Sequence, residues 1–379
     1  MVAEPFKNFI NGETMRVAAA HLARHDARFD ATRFCDEVIP QLDALELKAR
    51  AMCVASALER HLAADFFAAA DHLERALAPV PVQGTGIVVR SDAGLTGWFL
   101  WSAGEYVARR GLAHPERALE CLRQLTQRFS AEFAIRPFLV AHESLVFETL
   151  REWIRDDSEH VRRLASEGTR PRLPWGMQLP RLIADPSPSL PLLAALLDDT
   201  SEYVRRSVAN HLNDIARDHP ELVADWVERH LPGASMARQK LLKHASRTLI
   251  KRGHPRILQS WGTGAPFAGT VALTVSPGTI QLGEYVHLAV TLTSTAANEQ
   301  RLAIDYVVHH VKQDGRTTPK VFKGWVSTID GGATVTLSKR HAIKPITTRR
   351  YYAGAHHISI QINGTQVADA VFELRMHRD

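Results

Sequence analysis

The fold is indicated by a stretch that occurs twice: residues 156–163 read Asp-Asp-Ser-Glu-His-Val-Arg-Arg, and residues 199–206 read Asp-Thr-Ser-Glu-Tyr-Val-Arg-Arg. The two copies lie 43 residues apart, a separation within the period of HEAT-type helical pairs. A helical pair of this kind cannot bury its apolar face alone, so neighbouring pairs stack into a solenoid. The sequence therefore predicts a helical repeat protein.

The repeat is interrupted after its first half. Residues 164–175 read Leu-Ala-Ser-Glu-Gly-Thr-Arg-Pro-Arg-Leu-Pro-Trp and have no counterpart in the second copy. Glu167, Arg170, Arg172 and Trp175 thus stand where an ordinary repeat would carry packing residues. Because these side chains can take part in chemistry, we expect the functional site in this segment.

Composition indicates a globular protein that acts inside the cell. Of 379 residues 45% are hydrophobic and 23% are charged, and no apolar run approaches the roughly 20 residues that cross a bilayer. Residues 1–30 lack a signal-like apolar segment, so we expect a cytoplasmic protein without membrane association. The three cysteines, Cys35, Cys53 and Cys121, fit neither a disulfide framework nor a zinc site and are predicted to be reduced core residues.

Acidic residues are missing from two long stretches of the chain. None occurs between Glu228 and Glu284 or from Gly331 to Ala368, although both stretches carry many basic residues. Stretches of a single charge sign favour a polyanionic partner such as nucleic acid. The alternative is a basic helix face that only meets solvent.

The periodicity of apolar residues changes near Ser260. Up to Trp261 the spacings are helical, and beyond that point short alternating segments predict β-strands. We predict a HEAT-like α-helical solenoid over 1–264 and an immunoglobulin-like antiparallel β-sandwich over 265–379. Asn363-Gly364 predicts a hairpin, because both positions of a type I′ turn need positive φ. The predicted strands are 271–275, 286–290, 304–308, 335–337, 358–362 and 371–374.

Four residues near the middle of the solenoid are candidates for a site: Glu132, Glu167, Asp214 and Trp175. Each also has a structural interpretation. Glu132 precedes a predicted helix and could interact with its dipole, Asp214 could be a solvated helix position, and tryptophan is often a core residue. Glu167 precedes a glycine that is typical of a helix C-terminus, where a carboxylate is electrostatically unfavourable. That mismatch indicates function.

These motifs resemble one family. The elements Glu-Phe-x-x-Arg-Pro-Phe at 132–138, Glu-Gly-x-Arg-Pro-Arg-x-Pro-Trp at 167–175 and Asn-Asp at 213–214, together with the HEAT-like repeats, resemble the AlkC branch of the AlkC and AlkD alkylpurine DNA glycosylases. Repeat packing does not demand the Arg-Pro-Phe or Pro-Arg-x-Pro-Trp elements. The appended sandwich is similar to that of the longer members of this branch.

The resemblance implies excision of cationic alkylated bases from double-stranded DNA: 3-methyladenine, 3-methylcytosine and 1-methyladenine. It implies a catalytic carboxylate, first Glu167, with Glu132 and Asp214 completing an acidic cluster and Trp175 contacting the cationic nucleotide. Action without full base flipping is also implied, so binding should rest mostly on phosphate contacts. The candidates for those contacts are Arg163, Arg170, Arg172, Arg206, Lys243 and Arg247.

Further expectations follow. We expect a monomer that needs neither cofactor nor metal, and one that associates with the nucleoid when it acts. The pairs His309-His310 and His356-His357 lie on predicted strands, where neighbouring side chains face opposite sides, so they are poor metal ligands. In the sandwich, Lys344, Arg349 and Arg350 could close on the far side of the duplex. The alternatives are a non-enzymatic HEAT scaffold and a DNA-binding architectural protein.

Overall fold

The computed structural model describes residues 4–80, 91–346 and 349–376. The helices are α1 Gly12–His25, α2 Ala31–Leu42, α3 Leu47–His61, α4 Phe66–Arg75, α5 Phe99–Arg110, α6 Pro115–Thr126, α7 Arg136–Ala141, α8 Glu143–Trp153, α9 Glu159–Glu167, α10 Pro180–Ala184, α11 Leu190–Ala195, α12 Glu202–Ile215, α13 Pro220–His230, α14 Met236–Ala245, α15 Arg247–Lys251 and α16 Pro255–Ser260. Two 3-10 helices are Phe6–Phe9 and Ser187–Ser189. The strands are β1 Gly269–Ser276, β2 Thr279–Gln281, β3 Tyr285–Ser294, β4 Gln300–Val311, β5 Thr317–Ile329, β6 Thr334–Ala342, β7 Gly354–Ile362 and β8 Thr365–Arg375.

The chain divides into two compact units. The first runs to Asp218 and includes Met236–Ala245, and the second comprises His219–Ser235 and the chain from Ser246 onward. The first unit is helical, and the second contains α13, α15, α16 and the strands. The predicted order of a helical region followed by an antiparallel sandwich is confirmed. The predicted division at 264/265 falls between the last helix and the first strand and stays a prediction.

Hydrogen bonds explain why both copies of the repeat contain the same aspartate, serine and first arginine. Asp156 and Asp199 each accept a hydrogen bond from the backbone N–H two residues later, Ser158 and Ser201, at 2.8 Å in both copies. These Asx turns precede α9 and α12. Arg162 then links the copies, because its Nε donates to Asp199 Oδ2 at 2.6 Å while its Nη1 donates to the Asp156 carbonyl at 2.8 Å. The aspartate, serine and first arginine therefore join adjacent repeats.

The rest of the repeated motif packs or diverges. Val161 and Val204 are fully buried, and α9 packs against α12. Burying such a side chain contributes roughly 1.5–3 kcal/mol to stability. The second arginines differ, since the side chain of Arg163 is 14% exposed and that of Arg206 is 64% exposed. Identical sequence thus serves packing in both copies, and only Arg163 is drawn into the interior.

The second unit contains a β-sandwich of two sheets. One has the strand order β1-β3-β6 and the other β2-β8-β7-β4-β5. All pairings are antiparallel except that of β2 with β8. The alternating burial along β3 places Val286, Leu288, Val290 and Leu292 in the core between the sheets.

The predicted strands correspond to β1, β3, β4, β6, β7 and β8, whereas β2 and β5 were not predicted. Strand β5 contains Pro319 and Gly324, which are unfavourable in a central strand. It lies at a sheet edge, where proline is tolerated, and Gly324 sits beside a bulge next to the Ile304 carbonyl. The predicted hairpin is confirmed: Asn363 and Gly364 join β7 to β8 with φ of 50° and 81°.

The hairpin glycine also meets a helical turn of its own unit. Gly253, between α15 and α16, has a φ of 71°. A Cβ added to Gly253 would lie 2.8 Å from the Cα of Gly364. The two backbones therefore touch without an intervening side chain, and both positions require glycine.

Three histidines are buried in the sandwich: His310, His341 and His356. Their partners on the adjacent positions, His309 and His357, are more exposed, as predicted from strand alternation. Burial and, to a smaller extent, the charge of Arg349 lower the pKa of His310 to about 3 and that of His341 to about 4. Burial also lowers the pKa of His356. These side chains are neutral core residues at neutral pH.

Cys121 is buried, Cys35 and Cys53 are half-buried, and all three are free thiols. Within the described ranges, the chain forms no helix with the length and hydropathy needed to span a membrane.

Candidate functional site

Three carboxylates, those of Glu132, Glu167 and Asp214, share a network with Arg163 and Arg170, and we call these five residues the acidic cluster. Arg170 joins two of them, because Nη1 donates to Glu167 Oε1 at 2.6 Å and Nε donates to Asp214 Oδ2 at 2.8 Å. Arg163 reaches Glu132 Oε2 at 3.3 Å and Glu167 Oε1 at 3.6 Å. Residues more than 80 positions apart are thus brought together.

Local sequence explains why Glu167 reaches this position. It is the last residue of α9, as predicted, and its Oε2 accepts a hydrogen bond from Ser207 Oγ at 2.6 Å. Ser207 occupies the repeat position at which the first copy has Leu164. A Cβ added to Gly168 would lie 2.6 Å from Ile135 Cγ2, so a larger residue would push the end of α9 away. The serine and the glycine both serve the carboxylate.

Burial and charge act differently on two of the carboxyls. Burial alone would raise the pKa of Glu167, but Arg163, Arg170 and the Ser207 hydrogen bond outweigh it and hold that pKa below its usual range. Burial raises the pKa of Asp214 above its usual value, and Arg170 opposes this only in part. Glu167 is therefore the more firmly ionised carboxylate, and Asp214 is the stronger base.

Sequence reasoning missed Arg136, a fully buried residue that holds the interrupted segment in place. Its Nη1 donates to the Gly168 carbonyl at 2.8 Å and its Nε donates to the Met177 carbonyl at 2.6 Å. These carbonyls lie at either end of the segment 168–177, so one guanidinium pins both ends. Burial lowers the pKa of Arg136 to about 10. The only sequence signal was its place in the Arg-Pro-Phe motif.

Trp175 lies on that segment and is not a core residue. Its side chain is 65% exposed and its φ is 64°, one of two non-glycine positive values among the described residues. Such a conformation is unfavourable for a bulky residue and is found mostly at functional positions. The ring of Phe6 lies 6.4 Å from that of Trp175, at an angle of 70°.

Arg163 is also held by an aromatic ring that sequence reasoning missed. Its guanidinium carbon lies 4.8 Å from the ring centroid of Tyr203, within the range of a cation–π interaction. His160 contacts the same ring edge-on at 5.7 Å. His160 and Tyr203 occupy equivalent positions of the two repeats. The repeat therefore supplies the support of Arg163 from both copies.

The predicted phosphate-binding residues fall into two groups. Arg170 is buried and Arg163 is half-buried within the acidic cluster, where carboxylates occupy their guanidinium groups. Arg172 is partly exposed and pairs with Asp218 at 2.8 Å. Outside the cluster, Arg206 and Lys243 are exposed on α12 and α14, and Arg247 begins α15 in the second unit. The cluster thus contains only the first two.

The carboxylates of the cluster are spaced for arginine rather than for a metal. Across residues 4–80, 91–346 and 349–376, no group of three or more histidine, cysteine, aspartate or glutamate side chains is arranged to hold a metal ion. The network described above leaves each carboxylate with a guanidinium partner.

Two family models match the chain. The family described as "DNA alkylation repair enzyme" matches residues 126–249, which include the acidic cluster. The family described as "Uncharacterised protein YhaZ, C-terminal Ig-like domain" matches residues 270–376, so the sandwich is immunoglobulin-like as predicted.

Two individual proteins are similar over most of their length. The chain is 41% identical to "Uncharacterized protein YhaZ" of Bacillus subtilis (strain 168) over 272 residues, which cover 70% of this chain and 74% of that protein. It superposes with a TM-score of 0.88 on the alkylpurine DNA glycosylase AlkC of Pseudomonas fluorescens, bound to DNA containing an abasic site analogue. That match has 35% identity and covers 98% of this chain and 100% of the other.

Proposed function

Since the chain belongs to the AlkC-type family of alkylpurine DNA glycosylases, in the form with a C-terminal immunoglobulin-like domain, we propose that it hydrolyses the N-glycosidic bond of cationic alkylated bases in double-stranded DNA. The substrates we propose are 3-methyladenine, 3-methylcytosine and 1-methyladenine. One observation carries the proposal: two carboxylates from elsewhere in the chain, Glu132 and Asp214, join Glu167 in one network with two arginines, at the segment that interrupts the repeat.

The chemistry suits a site of this kind. A base that carries a positive charge is already a good leaving group, so no strong general acid is needed to protonate it. The remaining tasks are to stabilise the oxocarbenium-like sugar and to position a water molecule. The three carboxylates interact with the guanidinium groups of Arg163, Arg170 and the buried Arg136, and the first two of these cations keep Glu167 ionised beside the place proposed for the cationic sugar.

We assign different tasks to the carboxylates from their surroundings. Glu167 remains ionised and stabilises the developing charge at C1′. Asp214 has the raised pKa, which makes it the stronger acceptor for a proton from the attacking water. Glu132, with the more exposed side chain, completes the negative field.

We further propose that the lesion is attacked without full extrusion from the duplex, and that phosphate contacts supply most of the affinity. Arg172, Arg206 and Lys243 are the candidates in the first unit, and the partly exposed carboxylate partners of Arg172 and Arg206 can yield to phosphate at low cost. Trp175 would contact the cationic nucleotide with an aromatic face. The protein is proposed to act as a monomer on nucleoid DNA, without metal or cofactor.

The central test is base release from methylated duplex DNA, followed by mass identification, in the presence of a chelator. We expect the wild type to release free 3-methyladenine. Glu167→Gln should lower the single-turnover rate about 100-fold or more while DNA affinity stays within a few-fold. The reason is that the carboxylate charge stabilises the cationic sugar, which forms only in the transition state. Glu148→Gln changes an exposed glutamate on α8 and serves as the control.

The outcomes separate the alternatives. Unchanged release by Glu167→Gln would remove this residue from the mechanism. DNA binding by the wild type without release of any base would instead indicate an architectural protein. A wild type that binds no DNA, or binds it independently of salt, would point to a scaffold, since phosphate contacts make affinity fall steeply with ionic strength. A 2-aminopurine placed opposite the lesion reports extrusion through its fluorescence.

A further inference from the structure

The N-terminal 3-10 helix carries an exposed aromatic residue to the edge of the candidate site. Phe6 is 52% exposed, and its ring meets that of Trp175 at 6.4 Å with an interplanar angle of 70°. The two partly exposed rings therefore form a corner. A planar ring that stacks on one of them presents its edge to the other, which is a favourable arrangement of aromatic quadrupoles.

Phe6 is fixed from behind by other aromatic side chains. Trp98, which is 9% exposed, stacks on Phe6 at 5.3 Å and on Phe9 at 5.8 Å. Phe129 packs against the other side of Trp98 at 5.2 Å. The exposed ring is thus the outer end of a packed aromatic column rather than a freely rotating side chain.

A buried arginine holds the backbone of the same 3-10 helix. Arg50 on α3 is 5% exposed, and its Nη1 donates to the carbonyls of Lys7 and Ile10 at 3.0 and 2.9 Å. Its Nε donates to the Leu45 carbonyl at 2.9 Å. Burying a guanidinium is costly unless hydrogen bonds satisfy it, so these bonds fix the helix firmly against α3. Both the side chain and the backbone of Phe6 are pre-organised.

The second ring is held just as firmly. Trp175 lies on the segment that Arg136 pins at Gly168 and Met177, and it keeps a left-handed φ of 64°. The same segment begins directly after Glu167. One of the two solvent-exposed rings therefore belongs to the segment that begins directly after Glu167, and the other ring contacts it.

We infer that Phe6, at the corner that it forms with Trp175, stacks on the nucleobase adjacent to the damaged nucleotide in the strand that carries the lesion, while Trp175 contacts the damaged nucleotide itself. This inference rests on the proposed function. A carboxylate can reach C1′ of a nucleotide inside a duplex only if the neighbouring stack opens, and an opened base exposes an apolar π-face. Aromatic side chains compensate for lost stacking and do so for any base sequence.

Charge near the corner favours the same ligand. Lys7 follows Phe6, and Arg172 lies three residues before Trp175. Each cation pairs with a carboxylate, Lys7 with Glu46 and Arg172 with an aspartate of the first unit. These partly exposed pairs can exchange the carboxylate for a phosphate, so each ring has a cation close to it in the sequence that can bind the DNA backbone.

Phe6→Leu tests the inference, with Phe67→Leu as the matched control. Phe67 on α4 is 47% exposed and contacts Phe66 and His114 edge-on, so Phe67→Leu removes a comparable ring from another part of the molecule. We expect Phe6→Leu to weaken binding of a duplex with an abasic site analogue about tenfold, as loss of a stacked base predicts. Binding of undamaged duplex should be unchanged. Phe6→Tyr, which keeps a ring, should restore the affinity.

A second measurement separates this inference from the proposed function. With 2-aminopurine next to the abasic site, stacking on the corner should quench the fluorescence of the complex with wild type and Phe67→Leu, whereas Phe6→Leu should leave it bright. Equal affinity and equal quenching in Phe6→Leu and wild type would overturn the inference even if bases are released. Absence of base release with a Phe6-dependent quench would overturn the proposed reaction and leave the stacking site established.

Discussion

Replacing Arg170 with methionine should destabilise the first unit strongly. Arg170 is 7% exposed and connects Glu167 to Asp214 through bonds of 2.6 and 2.8 Å. Its removal leaves two buried carboxylates without their shortest ion pair. Breaking a buried pair in this way costs about 3–5 kcal/mol. For a unit of this size, roughly 2–4 °C in melting temperature corresponds to each kcal/mol, so we expect a decrease of about 6–20 °C.

The loss should depend on pH in a defined direction. Without Arg170, burial is opposed less, so the pKa of Asp214 should rise further above that of the unfolded chain and the pKa of Glu167 should rise from its lowered value. A group whose folded pKa is raised contributes stability below its unfolded pKa and loses it as pH rises through the folded pKa. The unfolded values lie near 4, so the melting temperatures of variant and wild type should be closer at pH 5 than at pH 8.

Arg172→Met supplies the matched control for this experiment. Arg172 lies two residues further on, pairs with Asp218 at 2.8 Å and is partly exposed. A partly exposed pair contributes little, so its loss should barely change the melting temperature. Equal effects of the two substitutions, or a difference for Arg170→Met that does not change between pH 5 and pH 8, would refute the assignment of Arg170 as the charge that holds two buried carboxylates.

Two further predictions follow. Arg136→Met should lower the single-turnover rate by at least tenfold with little change in the affinity for undamaged DNA, because the carbonyls of Gly168 and Met177 lose their donor and the segment 168–177 loses its fixed position. A parallel change in the near-ultraviolet circular dichroism would report the movement of Trp175. The sandwich should lose stability as pH falls from about 6.5 towards 4, by about 1.4 kcal/mol per buried histidine for each pH unit, because these histidines bind protons in the unfolded chain while the lowered pKa values of His310 and His341 keep them neutral in the folded sandwich. Chemical denaturation of a variant in which His310, His341 and His356 are all replaced by phenylalanine should show a flatter pH profile.

Sequence periodicity predicted the larger features because they depend on local patterns. The helical repeat follows from the matching copies at 156 and 199, and the hairpin follows from Asn363-Gly364 alone. Glu167 was singled out because a carboxylate at the end of a helix contradicts the helix dipole, and the structure shows that two arginines and a serine compensate for it. A residue type that is unfavourable at its position in a helix therefore identified a residue of the acidic cluster.

The missed features depend on distance along the chain. Arg136 binds carbonyls 32 and 41 residues away, and Arg50 binds a carbonyl 43 residues away. No local sequence pattern predicts such contacts. An arginine that donates to a backbone carbonyl needs no particular residue type as its partner, since every residue has a carbonyl. Strand β5 was missed for another reason. Its proline is acceptable only because the strand lies at a sheet edge, and edge position is a property of the assembled sheet.

The contact between Gly253 and Gly364 affects how the chain can be divided. The position at which helical sequence gives way to strand sequence lies between the last helix and β1, yet the turn before α16 touches the β7–β8 hairpin backbone to backbone. Cutting the chain at residue 264 would separate the turn at Gly253 from the hairpin at Gly364, although their backbones pack directly against each other. In a relative that lacks the sandwich, the contact with the hairpin is gone but the positive φ remains, so asparagine, which tolerates that φ, should be accepted at this turn as well as glycine.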